Sequence, residues 1–422
     1  MKIVKNENLD DSFFQYQEIE EIDSVRKIIA KVRNHKDKAI KEYTSKFDGV
    51  KLDQLRVSEA EIKNAYQKLD KELILSIEFA AENIRHFAIK QKEQLMDFEY
   101  EIRPGVFTGQ KIIPIERIGI YTPGGSYPLP STVLMCAIPA RVAGVEKLTI
   151  CSPPTHDGSI HPAILVAANI CQINEIYKIG GVQAIAAMAY GTETIRRVDK
   201  IVGPGNKYVS AAKKLVYGAV GIDFIAGPTE LLIIADDSSN PAYIAADLIG
   251  QAEHDINAIP ILITVSHDIA NQVNKAIEKQ LLHLKTAEIA IQSLNNNGTI
   301  ILVNTLAEAF AIANNKAPEH LELQIKNAED YVDRLKNYGS LFIGSFSAEA
   351  LGDYSSGLNH TLPTNACARY TGGLSVRDFL KFQTILRITG QGLTSIGPMA
   401  INFGRIEGLE GHARSVEIRM AS

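Results

Sequence analysis

Two short segments carry side chains that could bind a metal and move protons: Gln251-Ala-Glu-His-Asp255 and Ala317-Pro-Glu-His-Leu321. Gln251 and His254 stand three residues apart at the end of an apolar-periodic run, Ile244 to Ile249, so on a helix both side chains project from one face. That spacing suits two ligands of one ion. It equally suits a polar helix end with His254 hydrogen-bonded to a neighbour. In the second segment Glu319 and His320 place a carboxylate beside an imidazole, the groups most readily tuned to exchange protons near neutral pH. Pro318 is favourable in a first helical turn and a glutamate there is stabilised by the helix dipole, so a helix is expected to open here.

Two further residues could join such a site. Asp353, in Leu351-Gly-Asp-Tyr-Ser-Ser-Gly-Leu-Asn-His360, offers an oxygen donor in a glycine-bounded loop, where aspartate also serves as a turn former. His412 lies in a terminal segment that Gly408 and Gly411 make costly to order. A metal bond or a neighbouring subunit could hold it, and a solvent-exposed histidine is the plain alternative. Nitrogen and oxygen donors without thiolate favour zinc or a similar divalent ion. Cys136, Cys151, Cys171 and Cys367 form no CxxC pair, so they are expected as reduced thiols rather than zinc ligands or disulfides.

The chain as a whole narrows the class. With 422 residues it is long enough for two to four domains. A net charge of −5 lacks the basic surplus of a nucleic-acid binder. No stretch reaches the length of an apolar membrane span, and the first residues, Met1-Lys-Ile-Val-Lys5, lack a signal-type apolar core, so a cytoplasmic protein is expected.

Periodicity supplies the elements that must position these residues. From about Ile19 to Leu95 the chain is charged and helix-periodic, which predicts two long helices. Strands are expected at Lys111–Ile115 and Arg117–Tyr121, the latter ending in a glycine turn, followed by βα alternation through Lys147–Cys151 and Glu175–Ile179. A second α/β series runs from Leu231–Asp236 through the helix bearing Gln251 to Pro260–Val265 and Thr299–Asn304. These alternations predict parallel sheets covered by helices. After Gly372 a helix is expected at Val376–Gln383, followed by a tail too short to be stable alone. Gly124-Gly125, Gly180-Gly181 and Gly203-Pro-Gly-Asn206 are turn formers first. No GxGxxG follows the first strand, so the glycines by themselves do not indicate a dinucleotide.

Taken in order, Gly119-Ile-Tyr-Thr-Pro-Gly-Gly125, Gly203-Pro-Gly-Asn206, Gly227-Pro-Thr-Glu230, Gln251-Ala-Glu-His-Asp255, Pro318-Glu-His-Leu-Glu322, Gly352-Asp-Tyr354 and Gly408-Leu-Glu-Gly-His412 resemble the histidinol dehydrogenase family. The likeness spans residue 20 or so to the C-terminus. It implies a zinc-dependent oxidation of L-histidinol to L-histidine through histidinaldehyde, with two hydrides passed to NAD, as the last step of histidine biosynthesis. By motif position it implies zinc on Gln251, His254, Asp353 and His412, with Glu319 and His320 as the acid/base pair. His320 is then expected to take the alcohol proton, and Glu319 to activate water on the aldehyde.

Substrate contacts are implied for Thr229, Gln251, His254, His320, Asp353, His360, Glu407 and His412, and NAD contacts for Tyr121, Gln183 and Asn206. Thr229 stands where the family also uses serine, which keeps the hydroxyl and adds a methyl group. The implied fold is α/β, with two incomplete Rossmann-like parallel-sheet domains in an intertwined homodimer whose tails complete each other's sites. The corresponding division is an N-terminal segment 1–18, a discontinuous first domain 19–120 with 230–373, an NAD-contacting domain 121–229, and a C-terminal dimerisation tail 374–422. Two rivals use the same residues. A zinc hydrolase could direct the carboxylate-activated water at an amide or ester, and a non-catalytic protein could simply bind imidazole compounds.

Overall fold

Runs such as Arg117–Tyr121 and Glu230–Ala235 are buried at every position, the pattern of parallel strands covered on both faces. The structure, a computed structural model, describes residues 1–15, 23–124 and 127–421. Gly125 of the glycine turn, and Ile19 at the start of the expected helical segment, lie outside the described residues.

In chain order, the N-terminal part comprises β1 (Lys2–Lys5), α1 (Asp23–Phe47), α2 (Glu59–Lys68) and α3 (Lys71–Glu93), followed by β2 (Phe98–Arg103) and β3 (Val106–Pro114). The middle part holds β4 (Arg117–Tyr121), α4 (Pro130–Ala143), β5 (Lys147–Ser152), α5 (Pro162–Ile170) and β6 (Glu175–Lys178). It ends with α6 (Gly181–Tyr190), β7 (Lys200–Val202), α7 (Lys207–Val216) and β8 (Gly221–Ile222). Then come β9 (Glu230–Ala235), α8 (Pro241–Ala252), β10 (Ile259–Thr264), α9 (His267–Leu281), α10 (Ala287–Asn296) and β11 (Thr299–Leu302). These lead to α11 (Leu306–Lys316), β12 (His320–Gln324), β13 (Ser340–Ile343) and α12 (Glu349–Tyr354). The tail is β14 (Leu380–Ile388), α13 (Gly390–Ile406) and α14 (Glu410–Met420).

These strands form a six-stranded parallel sheet, β1-β11-β10-β9-β12-β13, and a five-stranded parallel sheet, β6-β5-β4-β7-β8. A three-stranded antiparallel sheet, β14-β3-β2, completes the set. Leaving aside β1, which adds to the edge beside β11, the chain enters each parallel sheet at a central strand (β9 or β4), moves outward on one side and returns to the other, so β9/β12 and β4/β7 are the points where the order reverses. Successive residues of β9 alternate between two cores: Leu231, Ile233 and Ala235 face α8 to α10, whereas Leu232 and Ile234 face α11. The α/β architecture expected from the sequence is present.

Three local expectations are corrected. Among its described residues the helical N-terminal region holds three helical elements, α1 itself broken at Lys36 (φ 50°), because Ser58 and Glu61 form a reciprocal cap that starts α2 and the chain is extended again at Leu69. These helices pack on the five-stranded sheet, where Val25 and Ile29 join α6 and Ile77 and Ile84 join α4. Val376–Gln383 is a single 3-10 turn running into β14, whose pairing with β3 over nine residues outweighs the helix-like spacing. Glu319 and His320 do not open a helix. Lys316 ends α11, Ala317 takes a left-handed conformation (φ 52°), and Pro318 lies beyond the stop, so the pair enters a strand. No helix among the described residues is long and apolar enough to cross a membrane.

Candidate active site

The amino ends of β9 and β12 lie side by side, His320 opposite Leu231, and this register sets Thr229, Glu230, Glu319 and His320 together. α8 runs back antiparallel to β9, so its final turn delivers Gln251, fully buried, to the same edge. Its end is a turn: His254 lies beyond the helix, exposed, with its N–H 3.4 Å from the Gln251 carbonyl oxygen. The shared helical face expected for these two residues is therefore replaced by one helical and one post-helical residue. α12 brings Glu349 and Asp353, one helical turn apart and so on one face. Asp353 is helical, rather than the loop residue expected.

Glu319 is buried, and its Oε2 accepts from the Thr229 hydroxyl (2.6 Å) and the Glu230 main-chain N–H (2.9 Å). Thr229 Oγ1 also lies 2.6 Å from the Gln251 side-chain amide. His320 Nδ1 is 3.1 Å from the Glu230 carbonyl oxygen, which only accepts, so Nδ1 carries the proton and Nε2 keeps its lone pair. That Nε2 is buried without a hydrogen-bond partner and lies 3.9 Å from Asp353 Oδ1.

Burial dominates the electrostatics. It pushes the Glu319 carboxyl up to about 8, against the pull of its Thr229 and Glu230 hydrogen bonds and with the help of negative Glu230 and Asp353. It brings the His320 imidazole down to about 4, although Asp353 and the Glu230 carbonyl oppose the shift. Burial lowers His360 as well and raises Glu349 well above the carboxylate range, the latter with Asp353 and Glu322 adding repulsion. Near pH 7 the metal-free site thus holds an imidazole in its neutral, proton-accepting form beside a carboxyl that is mostly protonated.

One donor atom from each of His254, Glu349 and Asp353 lies within 4.8 Å of the others. The Gln251 amide has two ways to sit. With Nε2 toward Glu349 it donates at 2.6 and 3.0 Å, and its oxygen then competes with Glu319 Oε2 for the one Thr229 hydroxyl proton. With the oxygen turned toward Glu349, oxygen faces oxygen, an arrangement satisfied by a cation between them or by a proton on Glu349. The donor set, one imidazole with carboxylate and amide oxygens, fits a zinc-type divalent ion.

The expected NAD residues meet at the carboxyl ends of β4 and β7, where the order of the five-stranded sheet reverses. Tyr121 is buried and its hydroxyl accepts from Gly181 N–H (3.0 Å) at the start of α6. Gln183 is buried with Oε1 unpartnered. Asn206 caps α7, its Oδ1 accepting from Tyr208 and Val209 N–H (3.1 and 3.2 Å). Gly203 (φ 113°) is required here, because a Cβ would run into the Tyr121 carbonyl oxygen. α6 starts with no acidic residue and no side-chain cap, leaving N–H groups of the kind that hold phosphate oxygens.

Of the expected site residues, Thr229, Gln251, His254, Glu319, His320 and Asp353 gather at the amino edge of the six-stranded sheet. His360 is close enough to interact electrostatically with Asp353 and His254. Glu407 and His412 do not join them: both are exposed on the tail, at the end of α13 and on α14. Sequence reasoning missed Glu349 and Glu230. The signal for Glu349 was its i, i+4 spacing from Asp353, which marks one helical face.

A sequence profile described as histidinol dehydrogenase matches residues 14–420. The histidinol dehydrogenase of Geobacillus kaustophilus is 47% identical over 397 residues, covering 94% of this chain and 93% of that protein. That of Methanothermobacter thermautotrophicus is 46% identical over 396 residues, covering 94% and 92%. The solved histidinol dehydrogenase of Elizabethkingia anophelis superposes with a TM-score of 0.95 at 43% identity, covering 100% of this chain and 98% of that one.

Proposed function

The chain belongs to the histidinol dehydrogenase family, and from that premise we propose that Glu319 and His320 divide the proton transfers at a zinc site shared between two copies of the chain. Membership makes it an NAD-dependent oxidoreductase of histidine biosynthesis acting on histidinol. In the proposed arrangement Gln251, His254 and Asp353 hold zinc with His412 of a second copy. Bound zinc would supply a fixed anchor for the amine and imidazole nitrogens of histidinol. Thr229, His360 and the second copy's Glu407 are assigned to substrate recognition, and Tyr121, Gln183 and Asn206 to NAD.

In the first oxidation His320 Nε2 accepts the alcohol proton as hydride leaves the adjoining carbon for NAD. The main-chain carbonyl of Glu230 keeps Nδ1 protonated and so holds this lone pair in place. In the second, Glu319 in its ionised form, which gains population as pH rises toward 8, takes a proton from water adding to histidinaldehyde, and the hydrate gives its hydride to a second NAD. The observation that carries this reading is the buried, partnerless Nε2 of His320, next to a carboxyl raised to about 8.

The homodimer is supported by apolar residues left exposed on the tail, Phe382, Ile385, Leu386, Met399, Phe403 and Ile406. The exposed Glu407 caps the end of α13, and the exposed His412 lies on α14, which packs against α13. Four buried, unpaired cysteines support a reducing, cytoplasmic setting. The test is to give metal-replete protein L-histidinol and NAD and to follow NADH and histidine, with a chelated control. The proposal expects two NADH per histidine and loss of both after chelation. Hydrolysis or binding without NADH would reject it.

A further inference from the structure

The Glu230 main chain holds both members of the proton-handling pair: its N–H donates to Glu319 Oε2 at 2.9 Å and its carbonyl accepts from His320 Nδ1 at 3.1 Å. A main-chain anchor is only as fixed as the residue that carries it. Glu230 is 1% exposed, and its side chain makes a second set of contacts. Its Oε1 accepts from the Asn365 N–H at 2.6 Å, in a turn where Asn365 and Ala366 both adopt left-handed φ (56° and 60°). Its Oε2 lies 3.2 Å from Lys316 Nζ, an ion-pair distance off the line of a hydrogen bond.

Lys316 is 8% exposed, is the last residue of α11, and stands three residues before Glu319. Its ammonium also lies 5.4 Å from the centre of the Phe13 ring. A lysine is rarely buried unless a charge pairs with it, and the preference of the α11 C-terminus for a cation would be met as well by an exposed side chain. We propose that Lys316 is a positioning residue for the reaction, holding Glu230 so that the Glu230 peptide keeps Glu319 and His320 in register. The pair ties three segments together: the start of β9, the stop between α11 and β12, and the Asn365 turn. Without the ammonium, Glu230 is a buried charge among Glu319 and the Asn365 turn, and it must shift or take up a proton. Losing the ammonium also removes one of the two anchors of the Glu230 side chain, so the peptide that both side chains rest on is released even where the charge itself is neutralised.

This inference rests on the proton roles assigned above. The experiment compares Lys316→Met, Lys316→Arg and the double variant Glu230→Gln/Lys316→Met in the full-length, zinc-loaded protein with histidinol and NAD. Displacement of reacting groups by about 1 Å costs on the order of 100-fold in rate, so kcat of Lys316→Met is expected to fall by about 10- to 100-fold. KM for histidinol and NAD, and zinc binding by calorimetry, stay within about two-fold of wild type on the same argument, because no ligand or substrate contact is removed. Lys316→Arg regains most of kcat. The double variant, which has no buried unpaired charge, regains the melting temperature while kcat stays low. Recovery of kcat together with the melting temperature in the double variant, or a loss expressed in KM, would overturn the proposal. A His320→Asn control that keeps full activity would instead overturn the proton roles themselves.

Discussion

His320 Nδ1 lies 3.1 Å from the main-chain carbonyl oxygen of Glu230, and this contact decides which nitrogen of the imidazole is free to act. Because a carbonyl oxygen has no proton to give, the ring is a donor at Nδ1 and a base at Nε2. Burial then keeps it neutral.

Replacing His320 by Asn should therefore remove the base for the alcohol step. General-base contributions run to about 100- to 10,000-fold, and kcat for histidinol should fall within that range while zinc content is unchanged. Steady-state NADH production, with zinc measured on the same preparation, checks this.

Glu319 links stability to pH. Its carboxyl goes from 4.5 to about 8 on folding, so the fold favours the protonated form. Below pH 4.5 folded and unfolded states are both protonated at this group. As pH rises from 4.5 to about 8 its contribution to stability is lost, and above 8 the folded protein holds a buried charge. Glu319→Gln stays neutral, so it should melt above wild type at pH 9 and equal it near pH 4.5. The gain at pH 9 is on the order of a few kcal/mol. Metal-free protein melted across this range supplies the comparison, and a constant difference at every pH would contradict the assignment.

Glu349 faces the Gln251 amide at 2.6 and 3.0 Å and shares the cluster with His254 and Asp353. Loss of a group that orients a metal ligand weakens binding by about 10- to 100-fold. Glu349→Ala should weaken zinc binding within that range in a competition titration with a chromophoric chelator. An unchanged affinity would leave Glu349 outside the metal site.

His412 is exposed on α14 and apart from the cluster of its own chain, so the proposed site needs a second copy. Mixing inactive His412→Asn with inactive His320→Asn should restore activity, because one of the two sites in a mixed dimer is intact. No restoration after verified subunit exchange would count against the shared site.

Much of this arrangement was legible in the sequence, for reasons that vary by element. The strands expected at Arg117–Tyr121 and Leu231–Asp236 were legible because parallel strands buried on both faces carry apolar runs, here Ile118–Tyr121 and Leu231–Ala235. Glu319 and His320 were recognisable as a pair, yet their setting was misread. Pro318 suits a helix start as well as a helix stop, and only the left-handed Ala317 decides between them. The alternation of Leu321, Leu323 and Ile325 was the available sign of a strand. β14 was read as helix because its sheet partner, β3, lies far back in the chain and long-range pairing leaves no local mark. Glu230 and Lys316 were invisible as a pair, since nothing in spacing tells that residues 86 positions apart share a buried contact.

The division of labour between His320 and Glu319 is tested most directly by Glu319→Gln, assayed separately with histidinol and with histidinaldehyde under single-turnover conditions. Hydration is needed only after the aldehyde has formed. The account predicts that the first NADH from histidinol appears at near the wild-type rate, while oxidation of histidinaldehyde slows by at least about 100-fold. Equal slowing of the two steps would contradict it.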